Sequence, residues 1–410
     1  MTPEVPASAT IEPIDGGITA ADGFRAAGVS CGIKKQEALD LALIVADGLA
    51  SAAAVFTTNK ATAAPVLVSR EHLSQTSGRA RAIVVNSGCA NACTGPEGLA
   101  VARSSADFVA SVLGCSASEV LVASTGVIGV QLDLDKVRRG AGAAARSLAR
   151  KAHHDAARAI MTTDKAPKAA AVSVSTPAGT FHVGGMAKGA GMIEPHMATM
   201  LGFITTDAAV FPPALQRALA EAVDVTFNAI TIDGDMSTND TVFLLAGGAS
   251  GVQIDDDSYP VLAAALREVC GSLARAIVRG GEGATKLVSI SAAGAASAQD
   301  AKRAAHTIAN SLLVKTAIHG GDPNWGRLLA AAGRAGVGFD VEHASVRVGP
   351  VVLFKDGVPF DERASEAAAY LTGTDIEIEV DLGAGGSHDA TVWTCDLSAE
   401  YVKINAEYRT

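Results

Sequence analysis

Apolar and polar positions alternate along this chain in two rhythms. Short continuous apolar runs come first: Ala82-Ile83-Val84-Val85 and Leu121-Val122-Ala123 read as buried strands. Asn86-Ser87-Gly88 and Ser124-Thr125-Gly126 are expected to end them as turns. Between the two runs, residues 98–114 repeat at helical spacing, with Val101, Phe108 and Val112 on one side. The later half carries longer helical stretches. Pro212 and Pro213 open one that shows Leu215, Leu219, Ala222 and Val223 on one face. Pro260 opens another, with Leu262, Leu266, Val269, Leu273 and Ile277 in register. A third covers about residues 299–313. Strands fit Leu287–Ser291, Ser345–Val348, Ile376–Val380 and Ala390–Cys395. Residues 1–15, with Pro3, Pro6 and Pro13, read as loose chain. Helices and strands in alternating groups point to an α/β layered fold.

Composition narrows this reading. A chain of 410 residues suggests two or three compact units, and at 49% hydrophobic it can bury a large core. Only 4% of residues are aromatic, so the core must pack small side chains closely. The net charge of −10 argues against a nucleic-acid partner, which would call for a basic surface. The start of the chain has no basic n-region or apolar h-region, and the Ala-rich stretch 38–56 is broken by Asp40 and Asp47. No targeting segment or membrane span is expected, and the location read from this is the cytoplasm. Six scattered cysteines, with Cys89 and Cys93 the sole close pair, are no disulfide framework and no zinc site; they read as reduced, buried thiols.

The candidate chemistry lies in Lys188-Gly189-Ala190-Gly191-Met192-Ile193-Glu194-Pro195-His196-Met197-Ala198-Thr199-Met200-Leu201-Gly202. Glycines open it, and the apolar run 200–204 closes it as a strand entering the core. Thr199 sits at the junction, where one peptide bond can be held under strain. A threonine hydroxyl is a weak nucleophile without a base beside it. A cut between Ala198 and Thr199 would free an α-amine on Thr199, whose ordinary pKa of about 7.7–8.0 suits it to take the hydroxyl proton. From spacing alone, a capping or strand threonine is the commoner explanation.

The same segment contains K-G-x-G-M-x-x-P-x-x-A-T-M-L from Lys188 to Leu201. With it occur GFRAAGVSCG (23–32), NSGCAN (86–91), STGVIG (124–129), TTDK (162–165), TIDGDMSTND (231–240), GEGATK (281–286), DPNWGR (322–327) and VKINAEYRT (402–410). On these motifs the chain resembles the ornithine acetyltransferase family, over nearly its whole length. The resemblance implies an α/β/β/α sandwich of the kind shared with self-cleaving aminopeptidases. It implies self-cleavage into fragments 1–198 and 199–410 that stay intertwined, paired as an α2β2 heterotetramer. Thr199 would be the nucleophile, and Thr125 and Gly126 the oxyanion hole; such donors are worth about 10²–10³ in rate. Substrate contacts would fall to Thr162, Lys188, Thr199, Glu282, Asn405 and Thr410.

The implied reaction moves acetyl from N-acetylornithine to glutamate in two steps, for arginine synthesis. It needs no cofactor and no metal, and leaves acetyl-CoA open as a second acetyl donor. Taken singly, Ser124-Thr125-Gly126 reads as a turn, and Lys188 and Glu282 read as surface charges. His196 is read as incidental. Asp233 and Asp235 are read as loop hydrogen-bonders, and His319 stands where a bulky apolar residue is expected.

Overall fold

The computed structural model describes residues 9–35, 37–194 and 200–407. Ala198, Thr199, Thr410 and His196 lie outside the described residues. The first body contains strands β1 (Thr10–Ile14), β2 (Phe24–Val29), β3 (Leu41–Phe56), β4 (Arg79–Cys89), β5 (Val120–Val127), β6 (Lys168–Thr176), β7 (Gly179–Lys188), β8 (Leu201–Thr206) and β9 (Thr241–Ala246). Its helices are α1 (Ala64–Gln75), α2 (Gly95–Leu113), α3 (Leu134–Arg146), α4 (His153–Ala159), α5 (Pro212–Asp224) and α6 (Tyr259–Arg279).

These strands hydrogen-bond in the order β1-β6-β7-β8-β9-β3-β4-β5, with β2 also on β3. The sheet folds over on itself at β3. That strand runs sixteen residues, and its register shifts between Val45 and Ala50. Its first part pairs with β2 and β4, and Ser51–Phe56 pairs with β9. Alternation along each strand then makes three cores. Ala42, Ile44, Ile83, Val85 and Leu121 meet Leu201, Phe203, Phe243 and Leu245 in the middle layer. Their alternates Leu41, Leu43, Val84 and Val122 face α2 and α3. Ile204, Val242 and Leu244 face α5 and α6. The result is the expected α/β/β/α sandwich. Alanine is frequent in all three cores, which lets the layers lie close with few aromatic rings.

The helices form for local reasons. Prolines stand in the first turns of α5 and α6, where the missing N–H costs no helical bond. Leu262, Leu266, Val269, Leu273 and Ile277 are all buried, as their spacing requires, and each contributes about 1.5–3 kcal/mol. The face of α2 differs from the expected one. Ala102, Ala106, Val109 and Ala110 are buried, while Val112 is 43% exposed. Residue volume misleads there, because the small side chains allow the closer approach.

Three other expectations need correction. Residues 10–14 are not loose: they form an edge strand on β6, where Pro13 is tolerated. The turns expected at Asn86–Gly88 and Ser124–Gly126 are both strand, since β4 and β5 stay paired in parallel through Ser87↔Thr125 and Gly88↔Gly126. The helix expected over 299–313 is two helices, α7 (Ala298–Ala309) and α8 (Leu312–His319), because the Ser311 side chain accepts from Val314 N and starts a new one.

The second body is a six-stranded sheet, order β13-β12-β11-β14-β10-β15. Its strands are β10 (Leu287–Ala295), β11 (Ser345–Val348), β12 (Val351–Lys355), β13 (Val358–Pro359), β14 (Asp375–Asp381) and β15 (His388–Cys395). One face packs on α7, α8, α9 (Trp325–Gly333) and α10 (Ala364–Tyr370) around Val288, Ile290, Leu353 and Ile378. A last helix, α11 (Ala399–Glu407), returns toward the first body. The boundary between the bodies does not fall at position 199, because β8, β9, α5 and α6 all complete the folded-over sheet.

Among the described residues no helix is long and apolar enough to cross a membrane. The six cysteines are free thiols; Cys89, Cys270 and Cys395 are buried, but Cys93 is exposed.

Candidate functional site

Thr125 and Gly126 lie near the end of β5 in one half of the folded-over sheet, and Lys188 ends β7 in the other. The Lys188 ammonium donates to Thr125 Oγ1 at 3.2 Å, so the two halves are tied where their strand ends meet. Because Thr125 Oγ1 accepts there, its own proton is left to donate. Gly126 has φ +130, and a Cβ on it would lie 2.6 Å from Cys89 N. Only glycine fits that backbone beside the paired strand.

Around this junction lies a cavity of about 220 Å³, lined by Thr125, Gly126, Thr162, Lys188, Glu282 and Asn405 among others. Every expected substrate or oxyanion residue that the structure describes is therefore in one pocket; Thr199 and Thr410 are not described. Lys188 and Glu282, which singly read as surface charges, are 3% and 7% exposed. Glu282 follows α6, and its carboxylate accepts from Asn405 Nδ2 on α11 at 2.8 Å. A Cβ on Gly191 would fall 2.8 Å from the Glu282 carboxyl carbon, so that glycine makes room for the carboxylate.

Beneath the pocket is a buried charge cluster. Asp164 pairs with Lys168 and accepts from Gly189 N at 2.8 Å and Thr162 N at 3.1 Å. Burial works against its ionisation, but Lys188, Lys168 and the Gly189 N–H together outweigh burial and bring its pKa down to about 2. Burial lowers the Lys188 pKa, with Asp164 opposing that shift most strongly. Asp240 is fully buried and accepts from Met200 N at 2.8 Å. Its second carboxyl oxygen has no hydrogen-bond partner among the described residues, and burial raises its pKa well above the ordinary range.

The loop around 231–240 fixes the other wall. Asp233 accepts from Met192 N at 2.6 Å, Ile193 N at 2.8 Å and the Tyr401 hydroxyl at 3.1 Å. Asp233 and Asp235 both line the pocket, and Asp233 is the loop hydrogen-bonder the sequence suggests. His319, away from the pocket, finds Asp396 Oδ2 at 2.7 Å, which explains a polar residue where an apolar one is expected.

Some contributors escape sequence reasoning. Asn239 donates to Ala90 O at 2.7 Å and Ser124 O at 2.9 Å, which holds the strand end carrying Thr125. Asp164 and Asn239 both stand inside motifs visible in the sequence, TTDK and TIDGDMSTND, but neither carries a signal of its role. Tyr401 stands one helical turn before Asn405, and that spacing could have linked them.

A small, charge-lined pocket with hydroxyl and N–H donors beside a buried ammonium has the chemistry to take a small polar molecule. The chain belongs to the ArgJ family, whose model matches residues 25–410. It is 50% identical over 392 residues to the arginine biosynthesis bifunctional protein ArgJ of Nitratidesulfovibrio vulgaris, covering 95% of this chain and 98% of that one. The protein of the same name from Thermosynechococcus vestitus is 48% identical over 417 residues, 97% of this chain and 99% of that one. Among solved structures, ornithine acetyltransferase from Mycobacterium tuberculosis complexed with ornithine is 44% identical, covering 45% of this chain and 98% of that chain, with a TM-score of 0.42.

Proposed function

We propose that this chain cuts itself between Ala198 and Thr199 and then acts as a glutamate N-acetyltransferase, taking acetyl from N-acetylornithine. The convergence of Thr125, Gly126, Thr162, Lys188, Glu282 and Asn405 on one pocket carries the reading. Family membership and relatives about half identical, named for arginine biosynthesis, support it.

In the proposed cut, the Thr199 hydroxyl attacks the Ala198 carbonyl carbon, the C–N bond breaks, and the nitrogen takes the proton. Water then hydrolyses the ester and leaves a free amine on Thr199. In transfer, that amine takes the hydroxyl proton as the oxygen bonds to the acetyl carbon of N-acetylornithine. The oxyanion rests against the Thr125 hydroxyl and the Gly126 N–H. The C–N bond breaks, the proton passes to the leaving amine, and ornithine departs. The glutamate amine then attacks the ester and returns Thr199 to its free form. Lys188 offers a cation to an α-carboxylate common to both substrates, and Glu282 an anion to the ornithine ammonium. Thr162, Asn405 and Thr410 complete the contacts.

The working form is an α2β2 assembly in the cytoplasm, with no cofactor or metal and with acetyl-CoA as a second donor to be assayed. Intact mass spectrometry together with an N-acetylornithine and glutamate assay tests this. Two fragments and acetylglutamate are expected. For Thr199→Ala, one 41.3 kDa chain and no transfer are expected. Active, wholly uncut protein would sink the cleavage, and acetate without acetylglutamate would mean hydrolysis instead.

A further inference from the structure

The segment that supplies Lys188 and Met192 to the pocket continues to Glu194, which lines a different cleft of about 500 Å³. That cleft lies against α7 and the end of α9, and Lys302, Arg303 and Arg334 line it with Gln299. Its two carboxylates already have partners. Asp224 pairs with Lys302 at 2.6 Å. Glu194 accepts two bonds from the Asn310 amide, at 2.9 and 2.8 Å, and one from the Thr231 hydroxyl at 2.7 Å.

The two arginines are differently placed. Arg303 on α7 donates to Gly336 O beyond α9, and Arg334 at the end of α9 donates back to Thr307 O on α7, each at 3.4 Å. These long single bonds brace the two helices together. Among the described residues they leave most of each guanidinium's five N–H groups without a protein acceptor, and no carboxylate pairs with either. Both guanidinium groups line the one cleft, and a planar guanidinium fork matches a carboxylate or phosphate in bidentate fashion.

We propose that this cleft is a binding site for a small anion carrying two or more negative charges, clamped between Arg303 and Arg334. Phosphate and polycarboxylate share that chemistry. The site does not depend on the activity proposed above, and the Glu194–Asn310 contact is part of its lining.

Calorimetric titration of the full-length protein tests it, with inorganic phosphate in one arm and citrate in the other, at ionic strength fixed with sodium chloride. Saturable one-site binding in at least one arm is expected, and the responding arm tells the two sources apart. The Arg303→Ala/Arg334→Ala double variant should bind at least tenfold more weakly. Gln299→Glu should do the same: it adds a like charge to the lining but keeps the arginine brace, and an acid suits the first turn of α7. Glu282→Gln, in the other pocket, should bind as the native chain does. No saturable heat beyond the chloride control in either arm would overturn the site. Undiminished affinity in Gln299→Glu would also overturn it, even if the double variant fails to fold.

Discussion

Arg347 and Glu379 pair across β11 and β14 with side chains 43% and 41% exposed, whereas Asp164 and Lys168 pair with side chains 0% and 5% exposed. The first pair sits on the open face of the six-stranded sheet, with Ser289, Ser291 and Thr391 near it. The second lies under the pocket of the folded-over sheet, with Lys188 close enough to shift its titration. A surface pair gains little from its attraction because water and salt screen it. A buried group of charges loses its hydration and is stable only while every member keeps its partners. The folded-over sheet thus bears a cost that hydrophobic packing would avoid. The cost falls directly beneath the pocket that Lys188 lines.

The sharpest break of this contrast is Asp164→Ala. It strands two buried ammonium groups and should cost about 3–5 kcal/mol, read from urea unfolding. A loss below about 1 kcal/mol would mean that the cluster is as dispensable as a surface pair. Next is Lys188→Met, which keeps the chain length and removes the charge. Loss of one charged contact should lower kcat/KM for acetyl transfer about 10- to 100-fold; unchanged kinetics would take Lys188 out of recognition.

The pH dependence of stability sharpens the contrast further. Asp164 has a folded-state pKa depressed to about 2, below its ordinary value near 3.8. Its stabilisation is therefore complete above about pH 4 and is lost as the pH falls through about 2, amounting to about 2 kcal/mol. Unfolding curves of the native chain and Asp164→Asn, compared between those limits, should converge toward the acid end. Parallel curves would count against this. The smallest effect should come from Arg347→Ala, which removes the exposed pair at a cost of less than about 1 kcal/mol; a thermal-shift scan reads it.

Legibility in the sequence follows the same division. Apolar spacing places α5 and α6 down to their buried faces, because one long periodic stripe leaves one way to pack. The motifs single out Lys188, Glu282 and Asn405, and the fold gathers them from β7, the end of α6 and α11. The Asp164–Lys168 pair is not legible: four-residue spacing reads as an exposed helical pair, but here it joins a loop to a buried strand. The break at Asn310-Ser311 is equally hidden, since apolar residues continue through it and only the Ser311 cap marks the restart. Edge pairing of residues 10–14 depends on β6, more than 150 residues away, and no local pattern announces it.

β8 begins two residues after the proposed cut and lies between β7, which precedes the cut, and β9, which follows it. Six registered pairs, from Val183↔Thr206 to Lys188↔Leu201, cross from one fragment to the other. A nick at that place would leave two polypeptides laced together through the middle of a sheet. Dilution would not part them; a denaturant strong enough to unlace β8 would have to melt the core on both sides of it.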